Sequence, residues 1–378
     1  MARIKVCELQ EQLTELPDAR LLDVATEMKG QRATLLLCAL GFEPRCLALP
    51  EALAATDLVC ERAIYFEYQS NPLENDANRT ALISHLTSIS PSVESMDADS
   101  PDFTQRLRSL FENLSRHDVV PKVIVDISVF GNRLAFKLYA VLLDARIDVT
   151  LLYAEAAIYR PTHDEYLLAP EKWGAGQEFG LERGVSSISI SPEHPGQFLD
   201  LLPDYVMVFP AFSPDRSRAA LEWVDPSLVA TPDRKVMWFV GDPHHPADKW
   251  RLEAVKAHHG VTEQAQHVEV STFFYKDTLR VLHGACENNG EHYNLTLVPL
   301  GSKFQALGAA LCCFIHPEVR VLFAVPREYN AATYSEGTKA VWRIEFGKIQ
   351  RLRSQLLDVG TLQVLDDDEA DAAIVGGT

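Results

Sequence analysis

An internal repeat constrains the fold of this chain more than any other feature of its sequence. The segments LLYAEAAIY, ending at Tyr159, and VLFAVPREY, ending at Tyr329, align without a gap at a separation of 329 − 159 = 170 residues. Each segment is an apolar, strand-like run that stops at a short loop carrying the tyrosine. Self-similarity at a fixed separation is the signature of a repeated structural unit, so other segments should keep the same offset.

Other landmarks do keep the same order and nearly the same offset. ATLLLCALGFEPRCLALPEALA resembles DYVMVFPAFSPDRSRAALEWVD and aligns Arg45 with Arg216. AIYFEYQSNP resembles KVMWFVGDPH, and each carries a turn signal, Asn-Pro in one and Asp-Pro in the other. PKVIVDISVFGNRLAFKLYA resembles YNLTLVPLGSKFQALGAALC and places Asp126 opposite Pro299. Because loop residues stay in step as well as strands, we predict that the chain is a tandem duplication.

Each copy has the pattern of a doubly wound α/β domain. Its strands are short, continuously apolar and bounded by turns, as in sheets that are covered on both faces. Helical stretches between them place apolar residues three and four positions apart, and this alternation predicts a parallel sheet. We therefore predict two tandem Rossmann-like domains related by internal duplication. The boundaries are 1–170 for the first copy, 171–200 for a linker or arm, 201–350 for the second copy, and 351–378 for a C-terminal helix and acidic tail.

Charge and composition exclude several classes of function. The net charge is −18 and no Lys/Arg-rich run occurs, whereas proteins that coat long nucleic acid carry a basic stripe. No segment approaches the ~20 apolar residues that span a membrane, and the amino terminus lacks a signal-peptide pattern. The seven cysteines are scattered without a CxxC, which favours reduced, buried thiols in a cytoplasmic protein. A small anionic ligand and a protein partner remain compatible with this composition.

Candidate site residues lie where the predicted strands end, because doubly wound sheets bind ligands beyond the carboxyl ends of their strands. The turn Gly301-Ser302-Lys303 opens a helix, and its amides, hydroxyl and ammonium suit a phosphate. Neither GxGxxG nor a Walker loop occurs, so no dinucleotide redox cofactor is predicted. The candidate ligand-binding residues are Gly41, Arg45, Asn71, Ser128, Asn132, Tyr159, Arg216, Asp242, Gly301, Ser302, Lys303 and Tyr329.

Several of these residues have structural alternatives. Arg45 and Arg216 either contact the ligand or pair with acidic neighbours, and Asp126 either acts in catalysis or caps a helix. Tyr159 and Tyr329 either face the ligand or close each sheet by packing. The adjacent histidines in GDPHHPADKW and KAHHG have no acidic or cysteine partner at a ligand-like spacing, so no metal site is predicted. GxSxG and HExxH are absent.

The fourth-strand loops resemble those of the nucleotide-sensing CRISPR-associated Rossmann-fold domains. In that family, the strand leads into an Asp-hydrophobic-Thr-Gly-Gly-Thr-Lys turn and a small-residue helix, and LGFEPR occupies the place of the family's other ligand loop. Gly-Gly-Thr-Lys is intact in neither copy. The partial matches are Asp126, Ser128 and Asn132 in the first copy, and Gly301, Ser302 and Lys303 in the second. The resemblance implies a sensor for a nucleotide second messenger of bacterial antiviral systems. The duplication predicts one shared cleft, lined unequally by the two copies.

Three classes of function follow from these observations. We favour a binding module for a nucleotide or oligonucleotide signal. The first alternative is a nucleotide-processing enzyme, such as a ring nuclease, glycosidase or nucleoside transferase, with Glu43, Asp126 or Glu155 as acid, base or nucleophile. The second is a scaffold whose cleft is vestigial and whose surface binds a partner protein.

Overall fold

The computed structural model describes residues 13–116, 119–173, 181–230 and 235–356. Residues up to 173 are called the first half below, and residues from 181 onward the second half. The stretch 349–356 is helical. The acidic tail predicted beyond it lies outside the described residues, as does part of the predicted linker, 174–180.

Strands and helices alternate along the first half, as the sequence predicts. Its strands are β1 (Arg20–Leu21), β2 (Arg32–Ala39), β3 (Val59–Glu67), β4 (Val93–Asp97), β5 (Lys122–Asp126), β6 (Asp148–Glu155) and β7 (Ile158–Tyr159). Its α-helices are α1 (Val24–Glu27), α2 (Ala48–Ala54), α3 (Pro72–Ile89), α4 (Phe103–Leu114), α5 (Asn132–Leu142) and α6 (His163–Leu168).

The second half repeats this alternation and adds strands at both of its ends. Its strands are β8 (Glu182–Ile190), β9 (Asp204–Phe209), β10 (Val236–Asp242), β11 (His267–Ser271), β12 (Asn294–Pro299), β13 (Arg320–Tyr329), β14 (Ser335–Glu336) and β15 (Ala340–Lys348). Its α-helices are α7 (Asp215–Val224), α8 (Ser227–Ala230), α9 (Trp250–His259), α10 (Tyr275–Asn289) and α11 (Lys303–Ile315).

The two halves share one sheet topology. Parallel strands run in the order β4-β3-β2-β5-β6 in the first sheet and β11-β10-β9-β12-β13 in the second. The central pairing also agrees, since Leu35 lies opposite Val123 and Val206 lies opposite Thr296, at matching positions of the two copies. The prediction of two Rossmann-like doubly wound sheets related by duplication is therefore confirmed.

Antiparallel edge strands tie the halves together. β8, which lies in the predicted linker or arm, pairs with β13 and completes the second sheet. β15 lies within the range predicted for the second copy, but it pairs with β6 of the first sheet and carries β1 on its other edge. The chain thus returns to its first sheet after building its second.

A continuous apolar core joins the two halves. The matching helices α5 and α11 pack against each other, and Phe136 of α5 meets Phe323 of β13 edge to face, with ring centroids 5.6 Å apart. Tyr153 of β6 likewise packs on Phe304 of α11, at 5.1 Å. This packing fixes the strand ends of one sheet relative to those of the other. Within the described part of the chain, no helix has the length and apolar character needed to cross a membrane.

Candidate functional site

A cavity of about 460 Å³ lies between the halves, beyond the carboxyl ends of the parallel strands. Loops that follow β2, β3, β4 and β5 line it from the first half. Strands β8 and β13, the first turn of α7, the loop after β12 and the start of α11 line it from the second half. Its volume falls in the range of small-molecule sites. It lies where doubly wound sheets bind ligands, and both copies contribute to it.

Lys303 faces this cavity from the first turn of α11. No hydrogen-bond or ion-pair acceptor for its Nζ occurs among the residues that the structure describes. Burial is the main cause that lowers the pKa of Lys303 to about 8; Glu43 opposes the shift, and the charges of Arg45 and Arg216 add to it. A partly buried ammonium without a fixed partner is energetically unfavourable unless an anion joins it.

The turn that precedes Lys303 is committed to capping its own helix. The Ser302 Oγ accepts from the Gln305 amide at 3.1 Å, and the Gln305 side chain accepts from the Ser302 amide at 2.9 Å. The Ser302 hydroxyl also donates to the Thr272 carbonyl at 2.5 Å. The amide and hydroxyl of Ser302, expected to bind a phosphate, are therefore occupied, and Ser302 is not among the lining residues.

Arg45 and Arg216 occupy equivalent positions and make equivalent contacts. Arg45 donates to a carbonyl of β6 at 2.9 Å and to Glu43 at 2.7 Å. Arg216 donates to a carbonyl of β13 at 2.7 Å and to Glu182 at 2.7 Å. Each arginine thus anchors its loop to the last parallel strand of its sheet, β6 or β13. This agrees with the alternative in which the arginines pair with acidic neighbours. Arg216 also lines the cavity, and its Nη2 makes no hydrogen bond within the described part of the chain.

Aromatic rings form another wall of the cavity. Phe42 lies 5.8 Å from Tyr329 and 5.4 Å from Tyr334 between ring centroids, and the two tyrosine rings are 5.7 Å apart. Tyr68 is fixed beside them, because its hydroxyl accepts from the Gly131 amide at 2.9 Å. Burial raises the pKa of Tyr329 to about 12, so its hydroxyl stays neutral and the wall carries no charge at neutral pH.

Two asparagines of the first half hold the second half in place around the cavity. The Asn71 side chain donates to the Tyr329 carbonyl at 2.8 Å and accepts from the Tyr329 amide at 3.0 Å. Asn132, at the start of α5, donates to the carbonyls of Pro299 and Gly301 at 2.8 and 2.9 Å. These residues therefore act on the backbone of the opposite half, which sets the width of the cavity.

Replacing Asn71 should separate the hydrogen-bond contribution from backbone strain. Asn71 adopts a left-handed conformation, with φ +50°, which glycine tolerates and alanine does not. We expect Asn71→Gly to lower the free energy of unfolding by about 2 kcal/mol, because two hydrogen bonds are lost. Asn71→Ala should cost about 1 kcal/mol more. Urea unfolding measures both effects. Equal stability of wild type and Asn71→Gly would contradict a stabilising role for the two hydrogen bonds between Asn71 and the Tyr329 backbone.

Asp126 and Ser128 lie behind the cavity, not in it. Asp126 is 2% exposed and accepts from both the amide and the hydroxyl of Ser128. Burial raises the pKa of Asp126 to about 6, although the Ser128 hydrogen bonds and Arg45 act in the opposite direction. The Ser128 hydroxyl in turn accepts from the Ala154 amide at 2.8 Å. The pair ties the loop between β5 and α5 to strand β6, and neither residue lines the cavity.

A second junction between the halves holds the remaining candidates. Glu155 accepts from His245 Nε2 at 2.5 Å and from Trp342 Nε1 at 2.9 Å. The Tyr159 carbonyl accepts from Arg251 at 2.7 Å, and Asp242 pairs with a lysine of its own half. Glu155, Tyr159 and Asp242 thus do not line the cavity, and their contacts join or brace the halves.

The structure brings about half of the candidate residues to one place. The predicted residues that line the cavity are Gly41, Glu43, Asn132, Arg216, Gly301, Lys303 and Tyr329. Several other residues that line the cavity were missed in the sequence analysis. One of them, Arg133, could have been predicted from the repeat, because FGNR aligns with LGSK and so places Arg133 opposite Lys303. Arg133 lies 3.5 Å from Asp99, and both line the cavity.

Comparison with known proteins adds no functional assignment. No protein-family model and no curated protein matches this sequence. Among solved structures, the cytoplasmic domain of a prokaryotic cation chloride cotransporter aligns over 80% of this chain and 99% of its own, at 9% identity and a TM-score of 0.22. EvdMO1 aligns over 43% of this chain and 33% of its own, at 19% identity and a TM-score of 0.17. Likeness at this level carries no inference about a ligand or an activity.

Proposed function

We propose that this protein binds a nucleotide or a short oligonucleotide in the cavity between its halves, as a sensor module of the kind used in bacterial antiviral systems. The observation that carries the proposal is Lys303, a partly buried ammonium that faces the cavity and has no partner among the described residues. A phosphate would supply the missing anion.

The charges around the cavity support an anionic ligand. Most lining or adjacent cations already have a carboxylate: Arg45 pairs with Glu43, Arg216 with Glu182, and Arg133 with Asp99. Lys303 and the exposed Arg327 are the lining cations without such a partner in the described part of the chain. Charge-assisted hydrogen bonds from an ammonium or guanidinium to phosphate are stronger than neutral ones.

The aromatic wall supports a ligand with a planar base. Phe42, Tyr329 and Tyr334 present ring faces and edges within one cavity. Stacking of a base on such side chains contributes about 1–3 kcal/mol and tolerates any base, because every base has a π-face. A wall that stacks a base and a cation that binds its phosphate are the two parts that nucleotide recognition needs.

The enzymatic alternative has one candidate carboxylate in the cavity. Glu43 lines it, but the Glu43 Oε2 accepts from Arg45 and from Ser335. Asp126 and Glu155 lie elsewhere. A general base needs an oxygen within hydrogen-bond reach of the substrate, and only Glu43 among the three is placed for it.

A panel of mononucleotides, dinucleotides and cyclic oligonucleotides tests the proposal. Calorimetry should detect saturable binding of at least one member, and chromatography of the same mixtures should show it unchanged. Turnover of a nucleotide that Glu43→Gln abolishes and Glu155→Gln leaves intact would contradict the sensor function and support the enzymatic alternative. Absence of both binding and turnover across the panel would contradict the proposal and favour the scaffold.

A further inference from the structure

Thiol and imidazole side chains meet between α10 and α11, towards the opposite end of α11 from Lys303. The buried residues Cys286, Cys312 and His316 place their sulfur and nitrogen atoms within 4.8 Å of one another. His283, also buried, brings its Nδ1 to 2.7 Å from the His316 Nε2. Two sulfur donors and one nitrogen donor thus converge at one point of the interior, and the His283 imidazole adjoins them through His316.

The sequence places these donors on facing surfaces. His283 and Cys286 are three residues apart on α10, and Cys312 and His316 are four apart at the end of α11, so each pair lies on one side of its helix. Gly308, one turn before Cys312, lets the helices approach closely. A Cβ at Gly308 would lie 2.2 Å from a backbone oxygen of α10.

We infer that this cluster is a binding site for Zn²⁺, with Cys286, Cys312 and His316 as three ligands and His283, after its ring turns from His316 towards the metal, as the fourth. A tetrahedral S₂N₂ set is characteristic of structural zinc sites, which are closed by four protein ligands. Ligand atoms around one Zn²⁺ lie about 3.3–3.8 Å apart. Small inward rotations would bring Cys286, Cys312 and His316 to this spacing, whereas the His283 Nδ1 must move away from the His316 Nε2 and towards the sulfur atoms. Binding releases the two thiol protons to solvent and replaces the hydrogen bond between His283 and His316 by shared coordination.

Glu318 has the position of an outer carboxylate that orients a ligand. It accepts from the His316 Nδ1 at 2.8 Å, and this contact turns the His316 Nε2 towards the cysteines. Metal-bound histidines almost always donate their other nitrogen to such a group, which fixes the tautomer. The Glu287 carboxylate lies 4.0 Å from the same Nε2, and its side chain is 20% exposed, which provides a polar route for the cation from solvent.

Zinc and cobalt binding by the full chain tests the inference. After chelator treatment, the wild-type protein should take up one Zn²⁺ per chain, and Co²⁺ should give thiolate charge-transfer absorption and the d–d bands of tetrahedral coordination. Cys312→Ser should lose the charge-transfer band in part and weaken Zn²⁺ binding, whereas Cys60→Ser, a buried thiol of β3, should leave both unchanged. Glu318→Gln should weaken Zn²⁺ binding by about tenfold to a hundredfold while the cobalt–thiolate band persists.

The wild-type measurement decides the matter even if a ligand variant does not fold. Wild-type protein without stoichiometric Zn²⁺ uptake and without cobalt–thiolate absorption would overturn the inference. So would a Cys312→Ser variant that retains wild-type affinity and the wild-type cobalt spectrum.

Discussion

Gly308→Ala is expected to lower the free energy of unfolding by about 3 kcal/mol or more, the upper part of the range for overpacked cores. A Cβ at this position would lie 2.2 Å from the Tyr275 carbonyl oxygen, 2.8 Å from the Thr278 Cβ and 3.1 Å from the Leu279 amide nitrogen. Two of these contacts are backbone atoms of α10, which cannot rotate away. The helices must therefore separate, and α11 is the helix that carries Lys303 and packs on α5.

Gly284→Ala is the matched control for this substitution. Gly284 lies inside α10, and nothing lies within 4 Å of a Cβ built there. The same chemical change should stabilise the protein by about 0.5–1 kcal/mol, because alanine favours the helix. Urea unfolding of both variants should give shifts of opposite sign. A Gly308→Ala variant as stable as Gly284→Ala would contradict the close packing of α10 on α11.

Lys303→Ala is expected to weaken binding of the strongest nucleotide in the panel by roughly tenfold to a hundredfold. A charge-assisted hydrogen bond contributes about 1.5–3 kcal/mol, and about 1.4 kcal/mol corresponds to tenfold in affinity. Folding should not suffer, because burial disfavours the charged lysine and the substitution removes that cost. Calorimetry measures the affinity, and thermal unfolding without ligand measures the stability.

Lys122→Ala is the control for Lys303→Ala, because it also removes one lysine charge, but at the amino ends of the strands instead of their carboxyl ends. Lys122 is exposed at the amino end of β5, far along the strand from the cavity, so its loss should leave affinity unchanged. Equal affinities of Lys303→Ala and wild type would place the ligand elsewhere. Equal losses in both variants would mean that the ligand responds to overall charge and not to the cavity.

The repeat predicts the parallel sheets well but not their edges. Strands such as β2 and β9 are continuously apolar runs followed by a turn and a helix, so local pattern identifies them. The return of β15 to the first sheet depends on pairing with β6, over 180 residues earlier in the chain. The sequence of β15 itself, AVWRIEFGK, does not indicate which strand it pairs with. Which sheet an edge strand joins is decided by tertiary contacts that sequence periodicity does not encode.

The sequence predicts the site residues that are placed by the order of strands and helices, but not those that are brought together by packing between helices. Gly301 and Lys303 line the cavity because they follow a parallel strand. The commitment of Ser302 to its helix was readable, since Ser302 and Gln305 have capping-box spacing. The cluster around Cys312 was not, because its ligands come from two helices whose approach is set by packing.

The pH dependence of ligand affinity tests most directly whether the anion meets Lys303 in the cavity. The pKa of Lys303 is lowered to about 8, and a bound anion should raise it by favouring the ammonium. Wild-type affinity should then be constant from pH 7 to about 8 and fall above it, by up to about tenfold per pH unit. Lys303→Arg, whose guanidinium stays charged, should show no fall in that range. Identical pH profiles of affinity for wild type and Lys303→Arg would contradict a contact between the bound anion and Lys303.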